Sequence, residues 1–361
     1  MKKVSVITPV LNSGHFLQRA LDSVRNQNYP AIEHIVVDGG SNDNTLQILS
    51  DSTSVKWISE KDNGQSDAMN KGFDMASGDI VVYLNADDYF LPGVFSSIIS
   101  HFNSGAQIVF GRLKVIYPDG SEKIHIPSLQ YPEILSHWLG VFPVNPIQYF
   151  YERKLQENIK FNVNNHFAMD HEFLLHLCKD NRIVLSDTVF GVYDMHADTK
   201  TMQQMNKSSN YWLDDNFSYI DKHLESFSKK FIIDFKNQQH RFYREKTINF
   251  FQKQSLYRIT DLLNLVNNSR KLIIYGAGTY TEAILPLLYD GVQYIIDRRA
   301  EKTPEIQGIK VLPPNYLQYE ECPDILVTAT RHRADIVKII NEYCNNANVM
   351  FLDEILRWSS D

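Results

Sequence analysis

The chain has 361 residues, of which 43% are hydrophobic and 22% charged, and its formal net charge is −7. This length predicts two or three domains with substantial cores. The acidic balance argues against general binding to nucleic acid, whose phosphates attract basic surfaces. The three scattered cysteines (Cys178, Cys322 and Cys344) do not form a disulfide framework or a structural zinc motif, which fits a reducing compartment.

The N-terminal sequence MKKVSVITPV leads directly into a strand-like segment. No apolar region with a small-residue cleavage site follows it, and no stretch approaches the roughly 18 to 20 apolar residues of a membrane-spanning helix. We therefore expect a cytoplasmic protein, and we expect any membrane contact to be peripheral, on the inner face of the plasma membrane.

Strands and helices alternate along the first part of the chain. Short apolar runs rich in β-branched residues predict strands over 4–10, 32–37, 55–58 and 80–84. Apolar residues at helical spacing predict helices after Asn12 or Ser13, from Thr45, and over 66–76. The first helix has an apolar face formed by Phe16, Leu17, Ala20, Leu21 and Val24. The alternation is typical of a mainly parallel sheet flanked by helices, in which ligands bind beyond the carboxyl ends of the strands.

The remaining chain divides into two further parts. The middle of the chain is predicted to form a β-hairpin over 108–126, with a turn at Pro118-Asp119-Gly120. A helix over 169–179 and strands over 182–185 and 189–193 are predicted to follow it. A helical, aromatic and charged stretch follows, and a new strand begins at Lys271. We predict an α/β domain over 1–205, a helical linker over 206–268, and a second, small Rossmann-like α/β domain over 269–361.

The strongest chemical signal is Asn85-Ala86-Asp87-Asp88, which follows an apolar strand. Divalent cations such as Mn²⁺ and Mg²⁺ bind hard oxygen ligands and leave positions for phosphate oxygens. A bound cation offsets the charge of a diphosphate and stabilises it as a leaving group. Taken alone, the segment fits equally well with a solvated acidic turn before the next helix.

Two other polar segments reach the same edge of the predicted sheet. Asp38 ends a strand and can accept hydrogen bonds from a base or a ribose, and Gly39 and Gly40 allow close backbone approach. A simple glycine-rich turn is the alternative. Asp67 and Lys71 are spaced i, i+4 on a helix, which fits a surface ion pair as well as a site near a nucleotide and its phosphates.

Together these segments resemble the bacterial family 2 glycosyltransferases of the GT-A fold. The matching stretches are VSVITPVLN, IVVDGGSNDNT, SEKDNGQSDAMNKGF and ASGDIVVYLNADDYFLPG. Each stretch is weak alone, but their order and their positions at strand ends are specific, and the resemblance extends over residues 1–210. It implies inverting transfer from a nucleoside diphosphate sugar, most often a UDP-sugar.

The resemblance also implies roles for individual residues. Pro9, Leu11 and Asp38 line the nucleoside pocket, and Asp67 and Lys71 approach the donor. The acidic motif of Asp87 and Asp88 holds the metal. We assign three neighbouring residues to the donor site as well: Asn12, Asn85 and Ala86.

The chain departs from the family pattern at two positions. Many relatives carry Asp-Asp-Gly-Ser where this chain has Asp38-Gly39-Gly40-Ser41, so we expect base recognition to rest on Asp38 alone. Asn85 occupies the first position of the acidic motif in place of Asp. We therefore expect Asp87 to dominate the contact with the metal.

An inverting transfer needs a general base on the acceptor hydroxyl, opposite the diphosphate. Asp170 and Glu172 are the candidates. Helical periodicity puts Asp170 on the apolar face with Phe173, Leu174 and Leu177, and it puts Glu172 elsewhere. A carboxylate on an inward face is costly unless it is used or paired, although the helix dipole also favours an acid at this end. The family carries its base in a segment of this kind, and we choose Asp170.

His196 follows a strand, and the resemblance lets it complete the metal or diphosphate site. A lone histidine is as often an ordinary surface or core residue. Trp138 and Gln148 are weaker candidates for residues of the acceptor pocket.

The second predicted domain carries part of a nucleotide-binding fingerprint. Gly276-Ala277-Gly278, between a strand and a helix, can hold a phosphate at the helix N-terminus. Asp297 ends the next strand, where a ribose-binding acid would lie. Thr281 replaces the third glycine, and we favour a structural or oligomerising module.

Residues 229–258 combine basic and phenylalanine side chains. Such a segment can lie on an anionic membrane near a lipid-linked acceptor. We favour an interdomain helix pair whose aromatic side chains form a core.

The sequence thus predicts a hexosyltransferase for surface polysaccharide biosynthesis. It would use Mn²⁺ or Mg²⁺, a nucleotide-sugar donor and a glycan or lipid-linked acceptor, with no nucleic-acid partner and with room for a homo-oligomer. Three alternatives stay open. A nucleotide-sugar pyrophosphorylase would need a basic, Gly-rich loop after the first strand, which the chain lacks. A dehydrogenase or epimerase would act through the second domain, and a glycan-binding protein would lack catalysis.

Overall fold

The computed structural model of the chain describes residues 1–197, 199–200, 202, 219–253, 268–269, 271–288, 291–329 and 332–355, with the side chains of 240, 243–244, 246–253, 279, 283 and 353 left out. The predicted linker residues 206–218 and 254–267, and Arg258 of the basic segment, lie outside the described residues. The chain forms two compact units. The first is Met1–Gln204 with Asn216–Phe227, and the second is Met205–Asp215 with Ser228–Asp361.

Within the described residues, the first unit is built on one large sheet. Its strands are β1 Val4–Val10, β2 Ile32–Asp38, β3 Val55–Ser59, β4 Ile80–Tyr83, β5 Tyr89–Phe90, β6 Ile108–Ile116, β7 Glu122–His125, β8 Tyr149–Glu152 and β9 Ile183–Asp194. Their order is β3-β2-β1-β4-β8-β6-β9-β5, and β7 pairs with β6. The first four strands are mutually parallel, and β8 runs antiparallel between β4 and β6.

Helices cover this sheet and connect its strands. They are α1 Gly14–Arg25, α2 Thr45–Asp51, α3 Gln65–Met75, α4 Val94–Asn103, α5 Tyr131–Leu135, α6 Met169–Cys178 and α7 Ile220–Leu224. Short 3-10 turns lie at His137–Leu139, Pro146–Gln148 and Arg153–Leu155. The parallel strands with crossover helices confirm the predicted α/β architecture.

The sequence explains how tightly the central layer packs. Every residue of β1 and β4 is buried, as expected for strands covered on both faces. A Cβ atom added at Gly72 of α3 would lie 2.3 Å from Cγ2 of Ile7, so α3 rests directly on β1. The predicted apolar face of α1 is buried at its aliphatic positions. Phe16, which we had grouped with that face, is only half-buried.

One strand of the middle segment differs from the prediction. The predicted strands over 182–185 and 189–193 are one continuous strand, β9, which pairs in parallel with β6. The polar interruption that suggested a break is absorbed by register shifts on either side of Arg112. The hairpin of β6 and β7 is confirmed.

The second unit has its own smaller sheet in the described residues. The strands are β10 Leu272–Tyr275, β11 Val292–Ile296, β12 Glu305–Ile306, β13 Ile309–Leu312, β14 Asp324–Val327 and β15 Asn348–Phe351, in the order β12-β13-β11-β10-β14-β15. Its helices are α8 Lys229–Lys253, α9 Thr279–Leu288, α10 Arg333–Tyr343 and α11 Leu352–Ile355, with a 3-10 turn at Pro314–Tyr319. All pairings except β12 with β13 are parallel, which confirms a second α/β sheet domain.

None of the helices described in either unit combines the length and the apolar character that a membrane span requires.

Candidate active site

Side chains join the loops that follow β1 and β2. The backbone N–H of Asn12 donates to Oγ of Ser41 at 2.7 Å, and the side-chain oxygen of Asn12 accepts from the N–H of Asn42 at 2.9 Å. Asn12 has a left-handed φ of 49°, a conformation that asparagine tolerates better than most residues. Nearby, Pro9 is buried and Leu11 is 54% exposed. The two predicted nucleoside loops therefore form one connected surface with an exposed apolar side chain.

Asp38 shapes this surface from inside. Its side chain is fully buried, and Oδ2 accepts from the N–H groups of Gly40 and Ser41 at 3.1 and 3.0 Å. Oδ2 also accepts from Oγ of Ser59 at 2.6 Å, and Oδ1 accepts from the Ser41 hydroxyl. Protein donors therefore already engage both oxygens of the Asp38 carboxylate, and its contact with a base stays a prediction. Asp38 holds the loop at Gly40 and Ser41 in place.

Asp67 and Lys71 lie together at the start of α3. Nζ of Lys71 is 3.5 Å from Oδ2 of Asp67 and 2.8 Å from Oε1 of Glu60. Oδ2 of Asp67 also accepts from the backbone N–H of Asn63 at 3.0 Å. This backbone hydrogen bond, followed by the charge of Lys71, lowers the pKa of Asp67. The i, i+4 ion pair is thus present, and its approach to a donor stays a prediction.

Asn85 and Asp88 belong to a chain of side-chain hydrogen bonds that runs from the partly buried Gln65 and Asn85 to the fully buried Asp88. Nε2 of Gln65 donates to Oδ1 of Asn85 at 2.9 Å, and Nδ2 of Asn85 donates to Oδ2 of Asp88 at 3.1 Å. Nδ2 of Asn145 donates to the same oxygen at 2.7 Å. Burial and the neighbouring charge of Asp87 raise the pKa of Asp88 well above its ordinary value. Asp88 therefore organises the end of β4 from the interior.

The side chain of Asp87, unlike that of Asp88, is partly exposed, and it lies close to His196. Oδ2 of Asp87 lies 3.5 Å from Nε2 of His196, and about a quarter of each side chain is exposed, 27% and 22%. The ring of Phe16 stacks on the His196 ring at 4.5 Å. Burial raises the pKa of Asp87, against the lowering effect of His196 and Arg19. The predicted pairing of Asp87 with His196 is thus present in the fold.

These two residues are suitable ligands for a divalent cation. They offer a carboxylate oxygen and an imidazole nitrogen, both of which Mn²⁺ accepts. Among the residues described, no three His, Cys, Asp or Glu side chains are placed to hold a metal ion together. Asp88 is fully buried, and both amides donate to its Oδ2 atom, while its Oδ1 atom has no hydrogen-bond partner among the described residues; its role as a ligand beside Asp87 and His196 stays a prediction.

Asp170 lies in the first turn of α6. Its Oδ1 atom is buried and has no hydrogen-bond partner among the described residues. Burial raises its pKa to about 6, and the positive charge of Lys200 opposes this rise. Glu172, by contrast, accepts hydrogen bonds from Asn162 and Asn165, the latter at 2.8 Å. The geometry therefore favours Asp170 over Glu172 as a carboxylate available to a ligand.

The N-terminus of α3 contacts both the acidic motif and the start of α6. Gln65 donates to Asn85, and the next residue, Ser66, donates from Oγ to Sδ of Met169 at 2.8 Å. Met169 directly precedes Asp170. The first turn of α3 thus contacts both the acidic motif after β4 and the residue that precedes the candidate base.

Residues 5–178 match the family model described as Glycosyl transferase family 2. The first unit therefore contains a family 2 glycosyltransferase domain.

Curated relatives agree with this assignment over part of their length. A GalNAc(5)-diNAcBac-PP-undecaprenol beta-1,3-glucosyltransferase of Campylobacter jejuni is 34% identical over 118 residues, which are 31% of this chain and 38% of that protein. An uncharacterized glycosyltransferase of Rickettsia prowazekii is 27% identical over 315 residues, 79% of this chain and 90% of that protein. This chain spans only 38% and 42% of the length of two of the curated relatives that it matches.

A solved structure supports the fold. The crystal structure of S. aureus TarS 1-349 in complex with UDP-GlcNAc matches with a TM-score of 0.55 at 18% identity, over 81% of this chain and 84% of that chain. Together with the family match, this likeness confirms the GT-A fold.

Two residues that contact the candidate site were not found from the sequence. Arg19 of α1 donates to the backbone oxygen of Asp87 at 2.6 Å, pairs with Asp194 at 3.0 Å and lies over the Tyr89 ring at 4.5 Å. Its position on the polar side of α1 gave no signal beyond a surface charge. The same holds for Asn145, which reaches Asp88 only because β8 is inserted beside β4.

The two weaker acceptor candidates have other contacts. Gln148 is fully buried, where its side chain donates to the carbonyl of Gly111 at 3.2 Å and accepts from the N–H of Val144 at 2.8 Å. Trp138 is half-buried and meets the His137 ring edge-on at 5.2 Å. The contacts of Gln148 favour a role in holding the fold.

In the second unit, Asp297 is engaged by the protein's own groups. Its carboxylate accepts from the N–H of Ala277 at 2.7 Å and from the N–H and guanidinium of Arg299. Arg299 also donates to the carbonyl of Ala277 at 2.8 Å. Burial acts to raise the pKa of Asp297, but these hydrogen bonds lower it overall. Asp297 therefore fixes the turn at Gly276-Ala277-Gly278 instead of offering a free carboxylate to a ribose.

Proposed function

We propose that this protein is an inverting glycosyltransferase that moves a hexose from a nucleoside diphosphate sugar, first of all a UDP-sugar, to a hydroxyl of a glycan or lipid-linked acceptor in surface polysaccharide biosynthesis. The observation that carries the proposal is the state of Asp170. Its Oδ1 atom is buried without a partner among the described residues, and its helix contacts the same turn of α3 that holds Asn85.

The donor would lie along the carboxyl ends of β1, β2 and β4. The connected loops at Asn12 and Ser41, with the exposed Leu11, form the surface for the nucleoside. A divalent cation, when bound, would be held by Asp87 and His196 and would offset the charge of the departing diphosphate. Arg19 keeps Asp87 in place through its backbone oxygen.

The acceptor hydroxyl would lose its proton to Asp170. A carboxyl group with a pKa of about 6 is mostly ionised at pH 7, and it is a stronger base than an ordinary aspartate. The acceptor oxygen then attacks the anomeric carbon as the bond to the diphosphate breaks. Because attack and departure occur on opposite sides, the anomeric configuration inverts.

The comparisons indicate which compounds to test first. The S. aureus TarS structure holds UDP-GlcNAc, and the Campylobacter relative is named for a polyprenol-linked acceptor. A thermal-shift screen of nucleotide sugars, with and without Mn²⁺, tests the donor class. We expect one UDP-sugar to raise the melting temperature by several degrees, and more with Mn²⁺ than without it.

Release of UDP provides the catalytic test. Water can replace the acceptor hydroxyl, so slow hydrolysis of the stabilising UDP-sugar can be followed without knowing the acceptor. The proposal would be overturned if no nucleotide sugar caused a thermal shift and none released UDP. A shift with nicotinamide cofactor instead would favour a dehydrogenase or epimerase acting through the second unit.

The location and assembly state stay predictions. We propose a cytoplasmic enzyme, with any membrane contact peripheral and on the inner face of the plasma membrane, where a lipid-linked acceptor is accessible, and we allow for a homo-oligomer. Fractionation of cells and light scattering of the purified protein test these two points.

A further inference from the structure

Asp170 lies between residues that other elements hold firmly. Sδ of Met169, before it, accepts from Oγ of Ser66 on α3 at 2.8 Å. Glu172, after it, accepts from Nδ2 of Asn165 in the preceding loop at 2.8 Å. Asp170 itself has no such hydrogen bond on its buried Oδ1 in the described residues. The direction of its carboxylate is therefore set by how the first turn of α6 is anchored.

His171 is the most deeply anchored residue of this turn. Its side chain is buried, and both ring nitrogens have partners. Nε2 lies 2.7 Å from the carbonyl oxygen of Ile134 in α5, and Nδ1 lies 2.6 Å from the hydroxyl of Tyr219, the residue before α7. Two elements distant in sequence thus meet on one imidazole ring.

The chemistry of these partners fixes the tautomer of His171. Burial lowers its pKa to about 4, so the ring is neutral near pH 7 and carries one N–H. A carbonyl oxygen can only accept, so the N–H is on Nε2 and points to Ile134. Nδ1 then accepts from the hydroxyl of Tyr219, and both bonds are satisfied in one orientation of the ring.

We propose that His171 is a positioning residue for the Asp170 base, because it ties the first turn of α6 to α5 and to Tyr219. This inference rests on the proposed function. A general base must lie within hydrogen-bond reach of the proton that it removes, and a displacement of about 1 Å can cost about a hundredfold in rate. The Tyr219 segment, which follows the family 2 domain in sequence, thereby contributes to the geometry of its catalytic centre.

The structure offers a matched control for a purely structural role. The hydroxyl of Tyr131, in α5, lies 2.8 Å from Nδ1 of His223, in α7. This hydrogen bond joins the same two segments but does not involve the first turn of α6, and it is partly buried, whereas the bond between Tyr219 and His171 is buried. Tyr131→Phe and Tyr219→Phe each remove one hydroxyl that bonds a histidine nitrogen, so they should destabilise the fold to a similar extent.

The experiment measures UDP release from the UDP-sugar selected by the thermal-shift screen, at a temperature well below melting. The variants are Tyr219→Phe, His171→Phe, His171→Gln and Tyr131→Phe, with Asp170→Asn as the reference for loss of the base. We expect Tyr219→Phe and His171→Phe to lower kcat about tenfold or more, with KM for the donor within about twofold. His171→Gln keeps a donor toward Ile134 and should recover part of the loss, and Tyr131→Phe should stay within about twofold of the parent.

Each outcome is decisive. If Asp170→Asn is inactive while Tyr219→Phe and His171→Phe lose no more kcat than Tyr131→Phe, the positioning role is wrong and the proposed function stands. If Asp170→Asn retains full activity, the assignment of the base fails and takes this inference with it. If His171→Phe does not fold, the comparison of Tyr219→Phe with Tyr131→Phe decides alone.

Discussion

Nδ2 of Asn145 donates a hydrogen bond of 2.7 Å to Oδ2 of Asp88, and both residues are buried. Oδ1 of Asn145 accepts from the backbone N–H of Ile147 at 3.0 Å, at the start of the 3-10 turn that leads into β8. One amide therefore connects the acidic motif after β4 to the antiparallel strand beside it. The antiparallel strand β8 is tied in this way to the end of the parallel strand β4.

Replacing Asn145 by Ala should destabilise the first unit. The change leaves the buried Asp88 oxygen with one fewer donor and removes the cap of the 3-10 turn. We expect the free energy of unfolding to fall by about 2 to 3 kcal/mol. Asn103→Ala, at the exposed end of α4, should cost less than about 0.5 kcal/mol. Urea titration followed by circular dichroism compares the two, and equal midpoints would contradict the role of Asn145.

Asp170→Asn should abolish catalysis and leave donor binding intact. The amide keeps the shape of the side chain but cannot take a proton, so UDP release should fall by at least about a hundredfold. The thermal shift with the UDP-sugar should match that of the parent. Glu172→Gln, two positions along the same helix, should retain near-normal activity. Loss of donor binding in Asp170→Asn, or full activity, would show that the base lies elsewhere.

The same variant should be more stable than the parent at neutral and alkaline pH. The pKa of Asp170 is about 6 in the folded chain, against an ordinary 3.8. The folded state therefore prefers the protonated form, and stability falls as the pH rises from about 4 to about 6. Asn has no charge to bury, so Asp170→Asn should gain up to about 3 kcal/mol at pH 8 and nothing below pH 4. Melting temperatures measured across this range test the sign.

The rate of UDP release should have an acid limb near pH 6. Asp170 acts as a base only when ionised, so the rate should fall as the pH drops through its pKa of about 6. Lys200 faces Asp170 with a positive charge, and the buried hydroxyls of Tyr83 and Tyr149 stay neutral in this range because burial raises their pKa values.

Lys200→Met should therefore move the acid limb to higher pH, because it removes the charge that favours ionised Asp170. Lys200→Arg should leave the limb in place. A limb at the same pH in Lys200→Met as in the parent would show that Lys200 does not act on the base.

Dependence on Mn²⁺ should rest on Asp87 and His196. Replacing either residue by Ala removes one of the two ligands that converge at the end of β4, so the additional thermal shift caused by Mn²⁺ should shrink strongly. The exposed Asp187, paired with Arg112 at 2.5 Å, gives a control, since Asp187→Asn removes an acidic charge elsewhere on the first unit. Mn²⁺ shifts of parental size in both site variants would exclude this pair as the metal site.

The sequence was most informative where local patterns decide structure. The buried runs of β1 and β4 and the acidic motif after β4 were recognisable because they are continuous in the chain. The directions of side chains were not recognisable from the sequence, since Asp87 and Asp88 are adjacent yet have different surroundings. Asp88 is turned inward by Asn145, which is distant in sequence and reaches it through β8. The roles of Phe16 and Arg19 were hidden for the same reason, because their partners come from the ends of β4 and β9.

The burial of Asp38 has a consequence for changing the nucleotide preference of this enzyme by design. A side chain that only touched the base could be exchanged alone to accept a different base. Here the carboxylate also holds Gly40, Ser41 and Ser59 together, so exchanging Asp38 alone would disrupt the loop. Selectivity would have to be rebuilt by redesigning the backbone path of residues 38–42 as one unit, with Asp38 kept as its support.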